Sequence, residues 1–249
     1  MGSTAVPGLM AKPIIDMILV TPDEHADVKK DLEFLGYRYK GEYNVPLRSL
    51  YDKKNPEIYL HVHHKGNPEI ELNLGFRDYM RTHQHLQKEY ANLKKTLVQD
   101  PNHIHRVSTG VTQYNVGKND FITRILKSIA FQGMCPRWCT QEVEWQRYQS
   151  LTGIEHCEKN AMVVYQGTDI VGAVHITVHQ DFGFLNVMNF QPESIQHIPF
   201  ALGFIRRWLN TQNVTTVIAK NIMITLASMM QSSGFQPLPH KNHDWLRDV

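Results

Sequence analysis

Hydrophobic residues recur along this chain with two different periods, and together they predict a mixed α/β protein. Residues 13–20 are almost wholly apolar, which is typical of a buried strand, and Asp16 is the one carboxylate in that run. Residues 57–64 instead alternate apolar and polar positions, with His61 on the polar side. If the two segments pair in one sheet, Asp16 and His61 lie on neighbouring strands and on the same face.

Apolar residues at intervals of three and four predict the helices. The longest such stripe covers residues 70–98, and Asn67 followed by Pro68 is a typical helix start. A shorter helix is predicted to begin at Thr21, and another to cover residues 119–131. A small sheet surrounded by helices is therefore expected in the first half of the chain.

Residues 132–137 combine glycine, cysteine and proline and predict a linker between two domains, residues 1–131 and 138–249. The second domain is predicted to begin with a helix over residues 138–153. An antiparallel meander of three strands follows, and then a helix, a strand and a helix. Their predicted ranges are, in order, 161–166, 170–178, 182–190, 200–210, 214–219 and 221–233.

Composition limits which cellular compartment and which classes of binding partner we expect for this protein. The chain has 249 residues, of which 42% are hydrophobic, and a net charge of +2, so it carries no general field for nucleic acid. Three cysteines do not make a disulfide framework, and buried thiols explain Cys135 and Cys139 better than a zinc site does. No apolar run is long enough to span a bilayer and no leader precedes the first motif, so we expect a cytoplasmic protein.

The first stretch with recognisable chemistry is the loop that leads into the strand over residues 13–20. Gly2 and Ser3 are small, and backbone N–H groups in such a loop can surround a phosphate. Asp16 is costly to bury in the following apolar run unless it has a partner. Two interpretations stay open: Asp16 serves a phosphate or a metal, or it pairs with Lys12 or with a histidine of the neighbouring strand.

Residues 2–16, Gly-Ser-Thr-Ala-Val-Pro-Gly-Leu-Met-Ala-Lys-Pro-Ile-Ile-Asp, resemble the motif of the GrpB family, also called the UPF0157 proteins. Further matches run from Gly36-Tyr37 to Lys118-Asn119-Asp120, so the resemblance covers about the first half of the chain. That family resembles the nucleotidyltransferase superfamily, in which a Gly-Ser pair holds a triphosphate and acids on the next strand hold magnesium. A nucleotidyltransferase-like mixed-sheet domain is the implied fold.

The resemblance implies a site for a nucleotide with Mg²⁺. Phosphate- or nucleotide-binding roles fall to Gly2, Ser3, Lys12, Arg48 and Arg77. Asp16 is the implied Mg²⁺ ligand, and Asp16 and His61 are the predicted catalytic residues. The chain departs from the superfamily at positions 14 and 18, where isoleucine stands instead of a second acid. Family members also carry a segment before this motif, so either the true start lies upstream or the domain has lost an edge of its core. In the second case we expect an incomplete domain with exposed apolar surface near residues 1–20.

The second half resembles the GNAT N-acetyltransferases in its order of antiparallel strands, helix, strand, helix and Gly234-Phe235. The resemblance implies a pyrophosphate site at a helix N-terminus. The implied acetyl-CoA-binding residues are Gln196, Ile198, Phe200, Ala201 and Asn221. Pro199 stands where the family has glycine and lacks an N–H donor, and Met230 stands where a tyrosine often serves as general acid. We therefore expect acetyl-CoA binding to be weak or absent.

Two kinds of function remain open. The first is a two-domain transferase, in which a nucleotide- or phosphate-binding domain is joined to an acyltransferase-like domain with a degenerate acetyl-CoA loop. The alternative is a non-catalytic protein that binds a ligand or partner and is built from two degenerate enzyme folds. Both predict a small-molecule ligand, no general nucleic-acid binding and no membrane contact.

Overall fold

The computed structural model describes residues 1–22, 27–105, 111–155, 160–220, 226–237 and 244–248. The chain divides into two compact units, Met1–Cys135 and Pro136–Val249. Both units contain a sheet with parallel and antiparallel neighbours, so the fold class is mixed α/β, as predicted. Among the helices of these described ranges, none combines the length and the apolar character that crossing a bilayer requires.

The sheet of the N-terminal unit has the strand order β1-β4-β3-β2. β1 runs parallel to β4, and the other neighbours are antiparallel. The strands are β1 Ile15–Thr21, β2 Arg38–Gly41, β3 Ser49–Lys53 and β4 Ile58–His64. The helices are α1 Lys29–Phe34, α2 Pro68–Thr82, α3 Gln84–Gln99, α4 Gln113–Val116 and α5 Asn119–Ser128.

The register of β1 and β4 determines which side chains share a face. Asp16 lies opposite Tyr59, and Ile18 lies opposite His61. Opposite residues of paired strands point to the same side of a sheet, and alternate residues of one strand do so too. Asp16 and His61 therefore lie on one face of neighbouring strands, which confirms the prediction made from the two hydrophobic patterns.

The opposite face of this sheet is apolar and buried. Leu60 and Val62 of β4 form a cluster with Tyr51 of β3 and Leu32 of α1. Each of these four side chains is at most 7% exposed. Because this face is used for the core, the face that carries Asp16 is the one available for chemistry.

A second cluster ties the N-terminal loop to the helices. Val6 and Leu9 of the loop pack with Met80 of α2, Tyr90 of α3 and Phe121 of α5. All five side chains are at most 8% exposed. The loop before β1 is therefore held from one side by the strand and from the other by the helical core.

Two helix predictions for this unit were wrong. Residues 70–98 belong to two helices, because the chain breaks at His83, whose φ of −124° and ψ of 79° are not helical. Nδ1 of His83 lies 2.8 Å from the Tyr79 carbonyl oxygen, and the two rings stack, so a side chain competes with the helical hydrogen bonds. Thr21 ends β1 instead of capping a helix, because the pairing with β4 extends to its position, and α1 begins at Lys29.

Apolar side chains near the start of the chain are exposed, as expected from the sequence. Met10, Ile15 and Val20 are between 43% and 46% exposed. Ile15 and Val20 belong to β1, which is an edge strand of its sheet. An edge strand has one row of backbone groups that the sheet does not pair.

The sheet of the C-terminal unit has the strand order β10-β11-β9-β8-β7-β6-β5. β6, β7 and β8 form the predicted antiparallel meander, and β9 runs parallel to β8. The strands are β5 Met134–Trp138, β6 Ala161–Gln166, β7 Asp169–His179, β8 Phe182–Phe190, β9 Thr216–Ala219, β10 Gln236–Pro237 and β11 Trp245–Asp248. The helices are α6 Glu142–Thr152, α7 Ile198–Thr211 and α8 Ala227–Ser232. This is the element order expected from the acetyltransferase resemblance.

The predicted linker over residues 132–137 was wrong in part, because it contains most of β5. Pro136 favours a linker in the sequence, since proline cannot donate to a strand ladder. β5 is an edge strand, however, and proline is tolerated where one side of a strand is unpaired. The division of the chain falls after Cys135, within this strand. Cys135 and Cys139 are 2% and 3% exposed, as expected for buried thiols.

A buried carboxylate fixes the start of α6. Glu144 is 1% exposed, and its Oε2 accepts hydrogen bonds from the backbone N–H groups of Thr140 (2.8 Å) and Gln141 (3.0 Å). The Thr140 hydroxyl donates to the same oxygen over 3.1 Å. These donors replace water around the charge and form part of a capping box.

The parallel strands β8 and β9 pair along only part of their length. Their pairing runs from Phe182 and Thr216 to Leu185 and Ala219, and the N–H of Lys220 donates to the Leu185 carbonyl over 3.0 Å. β8 then continues through residues 186–190, whereas β9 has ended. β8 therefore extends beyond the part that pairs with β9.

Candidate functional site

The loop before β1 lies directly against the carboxylate of Asp16. Gly2 has φ 74° and ψ −176°, a conformation that is open essentially to glycine alone. A Cβ atom added to Gly2 would lie 2.2 Å from Asp16 Oδ2, far inside van der Waals contact. The backbone nitrogen of Met1 donates to the Asp16 carbonyl oxygen over 2.7 Å. The loop backbone and the carboxylate therefore form one continuous surface.

Ser3 is held by a buried lysine of α3. Lys94 is 6% exposed, and its Nζ donates to Ser3 Oγ over 3.1 Å and to the carbonyl oxygen of Met10. The same ammonium group lies 4.8 Å from the centroid of the Tyr90 ring. Burial lowers the pKa of Lys94. A positive charge is thus placed immediately beneath the predicted phosphate loop.

Two further lysines meet at the ring of Tyr114. The Nζ atoms of Lys12 and Lys118 each lie 4.6 Å from the centroid of that ring, within the range of a cation–π interaction. Lys118 Nζ also donates to Oδ1 of Asn115 over 2.8 Å. We call Lys12, Lys94 and Lys118 together the lysine cluster.

The lysine cluster is coupled electrostatically to Asp16. The pKa of Lys118 is lowered to about 8, chiefly by burial. Among the charges, Asp16 has the largest effect and opposes the shift, whereas Lys94 and Lys12 add to it. Burial raises the pKa of Asp16, and the amino group of residue 1 and Lys118 oppose that change. Among the groups whose charges act on Lys118, Asp16 is the one carboxylate. The site therefore carries excess positive charge.

His61 shares the face of Asp16 but has a neutral ring at physiological pH. Burial, with the charges of Arg48 and then His63, lowers the pKa of His61 to about 3. A group of such low proton affinity is not an acid at neutral pH and is a weak base. Arg48 is fixed near it, because its NH2 atom donates to the Glu42 carbonyl oxygen over 2.9 Å.

Arg77, a predicted phosphate ligand, is engaged by its neighbour. Its Nε and NH2 atoms donate to the two carboxylate oxygens of Asp78 over 2.7 and 2.8 Å. This contact uses one of the two donor pairs with which an arginine can bind a phosphate, and it neutralises the charge of Arg77. Arg81, one turn later on α2, instead anchors the loop, because its Nε donates to the Ala5 carbonyl oxygen over 2.9 Å.

The oxygen ligands at this site do not form a magnesium centre by themselves. Mg²⁺ requires near-octahedral oxygen ligands, usually one or two carboxylates together with waters and phosphates. Within the part of the chain that the structure describes, no three His, Cys, Asp or Glu side chains converge as metal ligands would. Positions 14 and 18, two residues from Asp16 on either side, are isoleucine. The charged groups that act on Asp16 are the amino group of residue 1 and Lys118, both of them cations, so these residues fit an anion better than a cation.

In the C-terminal unit, the predicted acetyl-CoA loop is helical. Residues Pro192–His197 form a 3₁₀ helix that runs directly into α7. The N–H of Ile198 donates to the Ile195 carbonyl oxygen, so it is used within the chain. Pro199 follows and has no N–H. Two of the backbone positions expected to face a pyrophosphate therefore offer no donor.

The other predicted acetyl-CoA residues flank this junction. Gln196 lies in the 3₁₀ helix, with its side-chain Nε2 3.4 Å from His197 Nε2. Phe200 and Ala201 belong to the first turn of α7, and Ala201 is buried. Asn221 lies outside the described residues.

Lys94, Lys118 and Tyr114 are site residues that the sequence motifs did not predict. One signal was available for Lys94, which follows Leu86 and Tyr90 at steps of four, so that a lysine occupies the buried stripe of α3. A lysine is almost never fully buried without a polar partner. Lys118 precedes α5, and the groups that surround it come from distant segments, so its local sequence carries no comparable signal.

The fold and the site define the N-terminal unit as a small mixed-sheet domain with a glycine–serine loop, one strand carboxylate and the lysine cluster. The class is that of a compact mixed α/β domain. The chain belongs to the GrpB family, because the model of that family, described as GrpB protein, matches residues 1–128.

Curated relatives match this same half of the chain. The UPF0157 protein YqkA from Bacillus subtilis is 40% identical over 126 residues, which are 49% of this chain and 35% of that protein. The UPF0157 protein BH1888 from Halalkalibacterium halodurans is 36% identical over 129 residues, which are 51% of this chain and 63% of that protein. The chain therefore spans between 35% and 63% of the length of these two relatives.

Solved structures are similar to each half. The conserved protein GrpB from Enterococcus faecalis is 30% identical, with a TM-score of 0.42, over 51% of this chain and 75% of that chain. An N-acetylglutamate synthase from Neisseria gonorrhoeae, complexed with coenzyme A and N-acetyl-glutamate, is 12% identical, with a TM-score of 0.38, over 47% of this chain and 35% of that chain.

Proposed function

We propose that the N-terminal unit binds a nucleotide through its phosphate groups. The observation that supports this function is the meeting of the Gly2 and Ser3 loop, Asp16 and the lysine cluster at one place. Three ammonium groups around one carboxylate leave excess positive charge, which favours a compact anion such as a polyphosphate. A net charge of +2 for the whole chain favours a small molecule over a nucleic acid as the ligand.

Each part of the site has its own task in this proposal. Lys94 fixes Ser3 and so presents the loop to the ligand in one shape. Lys12 and Lys118, which the Tyr114 ring holds together, neutralise phosphate charge. Asp16 raises the pKa of Lys118 and so helps to keep it protonated. Where a nucleotide brings Mg²⁺ with it, Asp16 is the carboxylate that would contact the ion, and the phosphates would supply further ligands.

Calorimetric titration with adenosine, AMP and ATP tests this function. Because the proposed contacts are made to phosphate, affinity should rise from adenosine to AMP to ATP. Lys12→Met should weaken ATP binding about tenfold or more, since a charge-assisted contact is lost. Lys95→Met is the control, because Lys95 is an exposed lysine of α3. Equal affinity for adenosine and ATP, or no binding of either, would contradict the proposal.

Binding without group transfer is the activity we propose for this unit. His61 has too low a pKa to act as an efficient general base at neutral pH. Two-metal transfer requires carboxylates for two ions, and Asp16 has isoleucine at both positions two residues away. Release of pyrophosphate from ATP tests the point. Turnover by the natural protein that Asp16→Ala abolishes would instead support the transferase alternative.

For the C-terminal unit we propose acetyl-CoA binding that is weak or absent. The acetyltransferase resemblance implies a pyrophosphate at the start of α7, but Ile198 and Pro199 provide no free donor there. A charge-assisted hydrogen bond contributes about 1.5–3 kcal/mol, so two missing donors weaken binding roughly a hundredfold to ten-thousandfold. Calorimetry should detect no tight binding of coenzyme A, and Pro199→Gly should strengthen binding only modestly, because the N–H of Ile198 stays engaged. Tight binding by the natural protein would contradict this reasoning.

We also propose that the protein is cytoplasmic. Cys135 and Cys139 are 2% and 3% exposed, and the reducing cytoplasm keeps such cysteines as thiols. Fractionation of cells that express the protein tests this location, and recovery from a secreted or membrane fraction would contradict it.

A further inference from the structure

The ammonium groups of the lysine cluster are held by neutral partners. Lys94 donates to a hydroxyl and to a backbone carbonyl, and Lys118 donates to a side-chain amide oxygen. Lys12 and Lys118 also lie over the face of an aromatic ring. In the described part of the chain, the three ammonium groups form no ion pair within 4.0 Å. The positions of all three charges are therefore set without a matched set of carboxylates.

Such an arrangement is costly until an anion completes it. Lys94 is 6% exposed and Lys118 is half-buried, so both have given up much of their hydration. Their like charges repel each other, and Asp16 opposes that repulsion with a single negative charge. A dianionic or trianionic group that bridged the cluster would convert the repulsion into attraction. A divalent cation placed there would be repelled by all three lysines and would find one carboxylate.

We propose that the lysine cluster is a metal-independent binding site for a pyrophosphate or triphosphate group. This inference rests on the location of the proposed nucleotide site, but it requires neither the nucleoside nor Mg²⁺. It assigns binding roles to Lys94 and Lys118 in addition to Lys12. Asp16 acts in it as a counter-charge for Lys118 in the free protein and not as a metal ligand.

Anion binding at this site should be accompanied by proton uptake. The groups that act on Lys118 are Asp16 from β1, Lys94 from α3 and Lys12 from the loop, and Tyr114 lies beside it on α4. With a pKa of about 8, a large fraction of Lys118 is neutral at pH 8 in the free protein. A bound polyphosphate raises the pKa of the lysine it contacts, so protons are taken up on binding. At pH 6.5 Lys118 is already protonated, so its part of the uptake should vanish. Because a polyphosphate can itself release protons on binding, this part is the difference in proton uptake between the natural protein and Lys118→Met.

Calorimetric titration with pyrophosphate and tripolyphosphate in the presence of EDTA tests the proposal. Binding is expected without metal, and at pH 8 the heat should differ between buffers of different ionisation enthalpy by an amount that reports proton uptake. Lys118→Met and Lys12→Met should each weaken binding about tenfold to a hundredfold. Lys12 is exposed, so its variant keeps the test valid if the Lys118 variant fails to fold. Lys95→Met is the matched control and should bind normally.

Replacement of Asp16 separates this inference from a metal site. Asp16→Asn removes a negative charge from the neighbourhood of the anion, so pyrophosphate affinity in EDTA should be retained or increased. Binding that occurs only with Mg²⁺, or that Asp16→Asn abolishes, would overturn the inference and leave the nucleotide proposal standing. Pyrophosphate binding in EDTA without any preference for ATP over adenosine would support the lysine site and contradict the nucleotide proposal. Binding of neither polyphosphate nor ATP would overturn both.

Discussion

Replacing Gly2 by alanine tests the close contact on which the N-terminal site depends. The added Cβ would lie 2.2 Å from Asp16 Oδ2 and 2.9 Å from both Cβ and Cγ of the same side chain. The backbone of Gly2, with φ 74° and ψ −176°, is also unfavourable for any residue that has a Cβ. Gly2→Ala therefore combines a backbone strain with an atomic overlap.

The two effects can be given magnitudes. Holding a non-glycine residue in this backbone region costs on the order of 1–3 kcal/mol. Turning Asp16 out of its rotamer to relieve the overlap costs about 0.5–1.5 kcal/mol more. The free energy that holds the loop in place should therefore fall by about 1.5–4.5 kcal/mol. Because Val6 and Leu9 still anchor the loop to the helical core, we expect local opening around residues 1–5 and not unfolding of the whole unit.

Hydrogen exchange at the amides of Ala5 and Val6 measures this opening, because these groups donate to the Gly2 and Ser3 carbonyl oxygens in the closed loop. Gly2→Ala should accelerate exchange there at least tenfold and weaken polyphosphate binding in parallel. Gly66→Ala is the matched control, since Gly66 has φ 84° but nothing within 4 Å of the added Cβ.

A double variant separates the overlap from the backbone strain. Asp16→Ala removes the Cγ and Oδ2 atoms, so Gly2→Ala should cost less in its presence, by the amount that the overlap contributes. If Gly2→Ala left exchange and binding unchanged, or if the cost were the same with and without the Asp16 carboxylate, the loop would not lie against Asp16 as described.

The other predictions concern one group in each unit. The His61 ring resonances should stay constant from pH 8 to pH 5, because the pKa of His61 is about 3 in the folded protein and its ordinary value is 6.5. As the pH falls, the unfolded chain therefore gains the proton first, and the free energy of unfolding decreases between pH 6.5 and pH 3. His61→Asn should remove this part of the acid sensitivity. An NMR titration midpoint near 6.5 would contradict this. Glu144→Gln should lower the free energy of unfolding of the C-terminal unit by about 1.5–3 kcal/mol, because it weakens the charge-assisted hydrogen bonds that Glu144 accepts from Thr140 and Gln141. Glu142 is exposed, so Glu142→Gln should change this free energy by less than about 0.5 kcal/mol. Equal denaturation midpoints for the two variants would refute a stabilising role for Glu144.

Sequence reasoning was most successful where a hydrophobic pattern alone decides the structure. The alternation over residues 57–64 placed His61 on the face opposite to Leu60, and on the face of Asp16 if the two strands pair. The structure supplies that pairing and its register. The meander of β6, β7 and β8 was predicted for the same reason. A strand has only two faces, so a pattern of period two leaves few alternatives.

Prediction failed where tertiary contacts overrule local preference. The apolar stripe over residues 70–98 continues across the break at His83, so it predicts one helix, and only the contacts of the His83 ring with Tyr79 show why the chain turns there. Pro136 is a second case in which the local sequence misleads. Proline disfavours a strand in general, but it is tolerated at the edge of the sheet, where β5 lies. In both cases the deciding partner lies outside the periodic pattern.

In the candidate site, the sequence motif indicates where a ligand would bind but not which kind of ligand it would be. The glycine–serine loop and Asp16 are continuous enough in sequence to mark the place, and the structure puts them in contact. The charge that decides what binds there comes from Lys94 and Lys118, which are remote in sequence and reach the loop only because α3 and the segment before α5 pack around it. A single carboxylate alone points to a cation, whereas the same carboxylate among three ammonium groups points to an anion. Whether the site binds an anion or a cation therefore depends on the folded unit, and polyphosphate binding in EDTA tests which of the two it binds.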